Sequence, residues 1–144
     1  MNEFNKSFYF HHIGYACNDV EEYKIKFLPL VKDSDYLIYK DLNQNVKVLF
    51  LNMIGDYKIE LIQVLNHELY CPIKKYIEKN ISGFHHVCYE SDNINNAENY
   101  LSQNGYRLIS RTSKGFENRN VSFFVPKTKP DGPLIEIVSM KLNN

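Results

Sequence analysis

The chain has 144 residues, 44% of them hydrophobic, with 17 basic against 17 acidic side chains and a formal net charge of zero. That length and apolar content suit one domain, or two small halves sharing a core, and exclude a disordered chain. A neutral chain whose longest basic run is Lys74-Lys75 offers no surface for nucleic acid or an anionic membrane. No apolar run approaches the ~18 residues of a membrane span, and Met1-Asn2-Glu3-Phe4-Asn5-Lys6 is polar with no apolar h-region after it. Cys17, Cys71 and Cys88 are odd in number, widely spaced and free of any CxxC, so a reducing cytoplasm is the expected compartment.

In chain order, residues 8–16 alternate as a strand. Asn18 or Asp19 then caps a helix, with Glu21 and Glu22 in its first turn, where the helix dipole favours anions. Val20, Tyr23, Ile25 or Phe27, and Leu28 form its apolar stripe, which stops at Pro29. Residues 36–41 and 46–51 read as strands joined by the turn Asn43-Gln44-Asn45, and Gly55-Asp56 turns the chain into a strand from Tyr57 to Val64. Residues 65–82 are a linker with a short helix around Ile73 to Lys79. The plan then repeats. Residues 84–90 are a strand, and Asp92 or Asn93 caps a helix that ends at Gly105. Strands follow at Tyr106–Ser110, Val121–Val125 and Leu134–Met140. Residues 111–120 form a polar loop suited to a mobile, substrate-contacting segment. Each half reads βαβββ: one α+β domain is expected, with modules 8–64 and 83–140 joined by the linker 65–82.

The repeat carries the chemistry. Phe10-His11-His12-Ile13-Gly14-Tyr15 returns as Phe84-His85-His86-Val87-Cys88-Tyr89, and Ile59-Glu60-Leu61 returns as Ile135-Glu136-Ile137. His12 and His86 lie 74 positions apart, Glu60 and Glu136 lie 76 apart. Alternation puts His12 on the face of Gly14 and Ala16, and His86 on the face of Cys88. Both glutamates stand mid-strand between apolar residues that pack the other way. A buried, unpaired carboxylate costs several kcal/mol, and no basic residue recurs in step to pair with both. One divalent cation (Zn, Ni, Co or Mn) held by His12, Glu60, His86 and Glu136 balances two carboxylates and two neutral imidazoles. Cys88 reads as a core residue or an extra soft ligand. Gln63 is a poor second choice because it faces away from Glu60, His11 and His85 are weaker candidates, and His67 reads as an exposed loop residue.

His12-Ile13-Gly14-Tyr15-Ala16, Ile59-Glu60-Leu61, Gly83-Phe84-His85-His86-Val87, Phe124-Val125-Pro126-Lys127 and Asp131-Gly132-Pro133-Leu134-Ile135-Glu136 resemble the vicinal oxygen chelate superfamily, which includes glyoxalase I and methylmalonyl-CoA epimerase. The resemblance spans about residues 8–140. It implies two βαβββ modules whose curved mixed sheets enclose a metal-binding cleft, with His12, Glu60, His86 and Glu136 at the ligand positions. It also implies a lyase or isomerase that removes a proton α to a carbonyl of a substrate chelated through two oxygens, with Glu136 as the base. The implied partner is an acyl-CoA or a thiol hemithioacetal, and a homodimer is expected.

Acyl-CoA epimerases carry a second carboxylate base on the third strand. Here the corresponding segment reads Asn45-Val46-Lys47-Val48, which makes Lys47 the residue at that position, able to act as a base only with a strongly depressed pKa. The alternative is a non-catalytic small-molecule-binding or antibiotic-resistance protein on the same fold. Relatives of that kind generally lack the ligand set retained here. A dioxygenase generally uses two histidines and one carboxylate, and a structural zinc clamp would be richer in cysteine.

Overall fold

The computed structural model describes residues 7–33, 36–128 and 133–141. The polar stretch Met1–Lys6, and Asp131 and Gly132 of the last matching segment, lie outside the described residues. Eight strands are described: β1 (Phe8–Ala16), β2 (Leu37–Asp41), β3 (Val46–Met53), β4 (Tyr57–Val64), β5 (Gly83–Ser91), β6 (Tyr106–Thr112), β7 (Val121–Pro126) and β8 (Leu134–Ser139). The helices are α1 (Val20–Phe27), α2 (Lys74–Asn80) and α3 (Ile94–Gln103). The expected α+β class and both βαβββ repeats are present, and no described helix is long and apolar enough to cross a membrane.

The chain forms two compact units. One is His12–His85; the other joins the residues before His12 to those from His86 onward. In the first, the strand order is β2-β3-β4-β1, antiparallel except that β1 runs parallel to β4. Asp19 caps α1 by accepting the backbone N–H groups of Glu21 at 2.9 Å and Glu22 at 3.4 Å. Pro29 cannot continue the helix, and Leu28–Leu30 tighten into a 3₁₀ turn. Val20 of α1 packs with Cys17, Leu49, Leu51, Met53, Ile59 and Leu61 on one face of the sheet. Burying each leucine there contributes roughly 1.5–3 kcal/mol. Burial also pushes the Cys17 thiol up to about 12. Gly55 (φ +97°) and Asp56 (φ +61°) are both left-handed, as a tight β3–β4 hairpin requires.

In the second unit the order is β5-β8-β7-β6, with β5 parallel to β8. Asn93 caps α3 by accepting the Asn96 N–H at 3.0 Å, and Gly105 (φ +91°) lies just past its end. Ala97 and Leu101 of α3 pack with Phe124 and Ile137. Glu98 of the same helix is buried and accepts bonds from Arg111 on β6 and Ser122 on β7.

The boundaries differ from the sequence expectation in two ways. First, the linker 65–82 belongs to the His12–His85 unit. Ile73 and Ile77 are buried, Asn45 donates to the Asn66 carbonyl at 2.7 Å, and the Tyr23 hydroxyl donates to Ser82 at 2.7 Å. The Tyr76 hydroxyl donates to the Phe84 carbonyl at 2.9 Å, and a Cβ on Gly83 would stand 2.5 Å from that hydroxyl, so the position needs glycine. Second, the start of β1 belongs with β5. Phe8 and Phe10 set their rings against Tyr89, and His11 Nε2 lies 3.3 Å from Glu90. The expected polar loop is shorter than 111–120, because β6 runs on to Thr112; beyond it residues 116–118 make a tight turn in which Glu117 and Asn118 are left-handed.

Candidate metal centre

Strand register decides which side chains share a face, since residues paired across a ladder point the same way. In the His12–His85 unit, Gly14 pairs with Glu60, so His12, two residues before Gly14, stands on the face of Glu60. Phe50 is directly opposite Glu60 on β3. The second unit repeats this: Cys88 pairs with Glu136, His86 precedes Cys88 by two, and Phe123 is opposite Glu136 on β7. The helix-side cores take the alternate residues. That is why Ile59 and Leu61 pack under α1, and why Ile137 packs under α3.

The side chains meet as the register requires. His12 Nε2 lies 2.7 Å from Glu60 Oε2, and His86 Nε2 lies 2.8 Å from Glu136 Oε2. All four residues are buried. Each imidazole also meets a phenylalanine edge-to-face: His12 with Phe50 at 5.1 Å and 84°, His86 with Phe123 at 5.6 Å and 87°. Edge-to-face contact with these rings favours one orientation of each imidazole plane. Sequence reading missed them, although Phe50 and Phe123 lie 73 positions apart, close to the spacing of the histidines. The two halves differ beside the pair: Gly14 in one is replaced by the fully buried Cys88 in the other.

Each pair fits a metal. Two donor atoms about 2.1 Å from one ion and about 90° apart stand about 3.0 Å from each other. The observed N···O distances of 2.7 and 2.8 Å are within a few tenths of that. Without an ion, an imidazole nitrogen and a carboxylate oxygen this close must share a proton, and a cation would take its place. The donor set, one nitrogen and one carboxylate per half, suits first-row divalent ions.

Lys47 does not join this arrangement. It pairs with Gln63, on the opposite face of the sheet from Glu60, and its ammonium lies 3.8 Å from Glu21 of α1. Gln63 accepts the Val20 N–H at 2.9 Å, which confirms that this face belongs to the helix. The β3 residues on the Glu60 face are Val46, Val48, Phe50 and Asn52. Lys47 is thus a correction to the sequence expectation. An alternation started one residue out exchanges the two faces. Among the other histidines, His67 is exposed, as expected, and His85 is buried with its ring 5.3 Å from that of Tyr76.

A family model described as the Glyoxalase/Bleomycin resistance protein/Dioxygenase superfamily matches residues 11–123. The chain belongs to this superfamily. The matched stretch contains His12, Glu60 and His86, while Glu136 follows it. Within the superfamily, mitochondrial methylmalonyl-CoA epimerase of Bos taurus is 37% identical over 94 residues, which make up 64% of this chain and 51% of that protein. The chain therefore spans about half the length of that curated relative. Among solved structures, a hypothetical protein from Bacillus halodurans has a TM-score of 0.75 at 30% identity, covering 96% of this chain and 98% of that one. A Streptomyces coelicolor methylmalonyl-CoA epimerase variant, in complex with 2-nitronate-propionyl-CoA, has a TM-score of 0.77 at 19% identity, covering 94% of this chain and 99% of that one. At that identity the likeness speaks for the fold alone.

Proposed function

We propose that the protein is an acyl-CoA epimerase dependent on one divalent cation, and that it works in the cytosol, where its three free thiols stay reduced. The observation that carries this reading is the doubled pair: a buried imidazole and carboxylate, nitrogen to oxygen at 2.7 and 2.8 Å, at equivalent positions of two βαβββ repeats. The homology with the Bos taurus epimerase supports the reaction class.

His12, Glu60, His86 and Glu136 would hold the ion. When bound there, a divalent cation supplies Lewis acidity to a carbonyl and offsets the charge that develops as the α-proton leaves. Glu136 takes that proton. Its side chain is buried, so bulk water competes poorly for it. Inversion needs a second proton carrier. Lys47 faces α1, and the β3 residues on the Glu60 face offer only Val46, Val48, Phe50 and Asn52. Glu60 would fill that role by entering the cycle as the carboxylic acid, giving its proton to the opposite side of the α-carbon and ending as the carboxylate, while Glu136 ends protonated.

Two measurements test this. Metal analysis of purified protein should find one ion per chain in the wild type and none in His86→Ala; two ions per chain would mean that the pairs act separately. Proton NMR in D₂O should show exchange at the α-carbon of methylmalonyl-CoA, slowed about 10²–10⁴-fold in Glu136→Gln, the usual worth of a general base. Exchange that survives that substitution removes Glu136 as the base. Turnover of the methylglyoxal–glutathione adduct alone would make the protein a lyase.

A further inference from the structure

The segment 113–120 is held by contacts that the reaction outlined above does not use. Lys114, Glu117 and Asn118 all take positive φ, at 57°, 51° and 59°; asparagine tolerates that backbone, but lysine and glutamate seldom adopt it unless their surroundings hold them there. The surroundings are specific. Gly115 N–H donates to the Arg119 carbonyl at 2.8 Å, and Asn118 N–H to the Gly115 carbonyl at 3.0 Å. Glu117 forms an ion pair with Lys141. Asn120 N–H donates to Ser139 Oγ at 3.1 Å, and Ser139 N–H returns a bond to the Asn120 carbonyl at 3.0 Å.

Arg119 is the anchor. Its side chain is only 5% exposed, unusual for an arginine in a connecting segment. Nη1 donates to Glu90 Oε1 at 3.0 Å and to the Ser139 carbonyl at 3.0 Å. Glu90 is on β5, four residues after His86, and Ser139 is on β8, three residues after Glu136. Glu90 alternates with Tyr89, whose ring packs in the core under α3, so the Glu90 carboxylate stands on the opposite face, that of His86 and Glu136. It lies one side-chain repeat, roughly 7 Å, along that face from the Cys88–Glu136 row. The guanidinium therefore fastens the segment to the two strands that carry one His–Glu pair, on the face where that pair is presented.

We infer that Arg119 is a positioning residue: through Glu90 and Ser139 it locks residues 113–120 over the His86–Glu136 face, and the locked segment forms the wall that grips an acyl-CoA thioester beside Glu136. This rests on the proposed acyl-CoA reading, and its test does not require turnover.

The full chain, loaded with Co²⁺, is compared with Arg119→Met, Arg119→Lys and Glu90→Gln. Readouts are amide hydrogen exchange across 113–120, calorimetric binding of Co²⁺, and calorimetric binding of the unreactive probe propionyl-CoA. Arg119→Met should speed exchange within 113–120 and weaken propionyl-CoA about ten-fold or more, with Co²⁺ binding within about three-fold of wild type. Arg119→Lys should recover part of both losses, because an ammonium reaches the same carboxylate. Glu90→Gln keeps the shape and gives the same reading if Arg119→Met does not fold. Protection that survives the loss of Arg119, or propionyl-CoA affinity unchanged once protection is gone, overturns the inference. So does Co²⁺ binding lost together with propionyl-CoA, since the residue would then act on the ligands. A wild type that binds propionyl-CoA but exchanges no α-proton overturns the epimerase reading and leaves this one standing.

Discussion

Glu98 offers a quantitative test of the second unit. Its carboxylate, on α3, accepts Arg111 Nε at 3.0 Å and Nη2 at 2.7 Å from β6, and Ser122 Oγ at 2.5 Å from β7. The Arg111 side chain is 65% exposed, so solvent screens its contribution, and the fully buried Ser122 hydroxyl sets the scale. Glu98→Ala leaves that hydroxyl without its acceptor, at about 1–3 kcal/mol. For a chain of this size, at about 3 °C per kcal/mol, that is roughly a 3–10 °C fall in Tm. Glu98→Gln keeps an acceptor oxygen and should cost about 1 kcal/mol or less. Arg111, with Ser122, holds the Glu98 pKa below its ordinary value despite burial. The stabilisation is therefore fully present above the unfolded-chain value near 4.5 and is lost as pH falls through the lower folded value. Circular-dichroism melts at pH 7 and through the range below 4.5 read both effects. In Glu98→Gln the acid-induced loss should be smaller than in wild type. Parallel Tm curves for the two proteins would show that the clasp carries no linkage, and Glu98→Ala within 1 °C of wild type would refute the burial argument.

Two further outcomes follow from the geometry of the pairs. Phe50→Leu and Phe123→Leu should each destabilise the metal-free protein by about 1–2 kcal/mol in urea titrations, through lost edge-to-face contact and lost volume. The Phe123 loss should be the smaller, because that ring is half-buried and Phe50 is buried, and either variant at wild-type stability would remove the edge-to-face contact as a source of stability. Lys47→Ala should leave α-proton exchange within about two-fold of wild type, since its ammonium sits beside Glu21 on the helix face. A ten-fold fall would return Lys47 to the site.

Much of this was legible in the sequence because duplication marks the residues twice. The histidines, the glutamates and the helix caps at Asp19 and Asn93 all recur in step, and the strand periods say which neighbours turn inward. Lys47 was misplaced because period-2 alternation fixes a face only once the starting residue is known, and Val46-Lys47-Val48 contains no partner that would reveal it. Phe50 and Phe123 went unread because an aromatic residue in an apolar strand looks like ordinary core until the ladder sets it opposite a glutamate. Arg119 was hidden for a related reason: an arginine in a polar loop reads as solvated, and only the tertiary fold brings Glu90 and the Ser139 carbonyl to it.

The chain changes units between His11 and His12 and again between His85 and His86, inside β1 and β5 rather than in the linker. Proteolysis within residues 65–82 would not liberate two self-sufficient pieces. A fragment starting at Gly83 would lack Phe8 and Phe10, and its Tyr89 ring would be stripped of its aromatic cover. Any attempt to recover an ancestral half-gene product from this protein has to graft that short N-terminal strand onto the C-terminal piece.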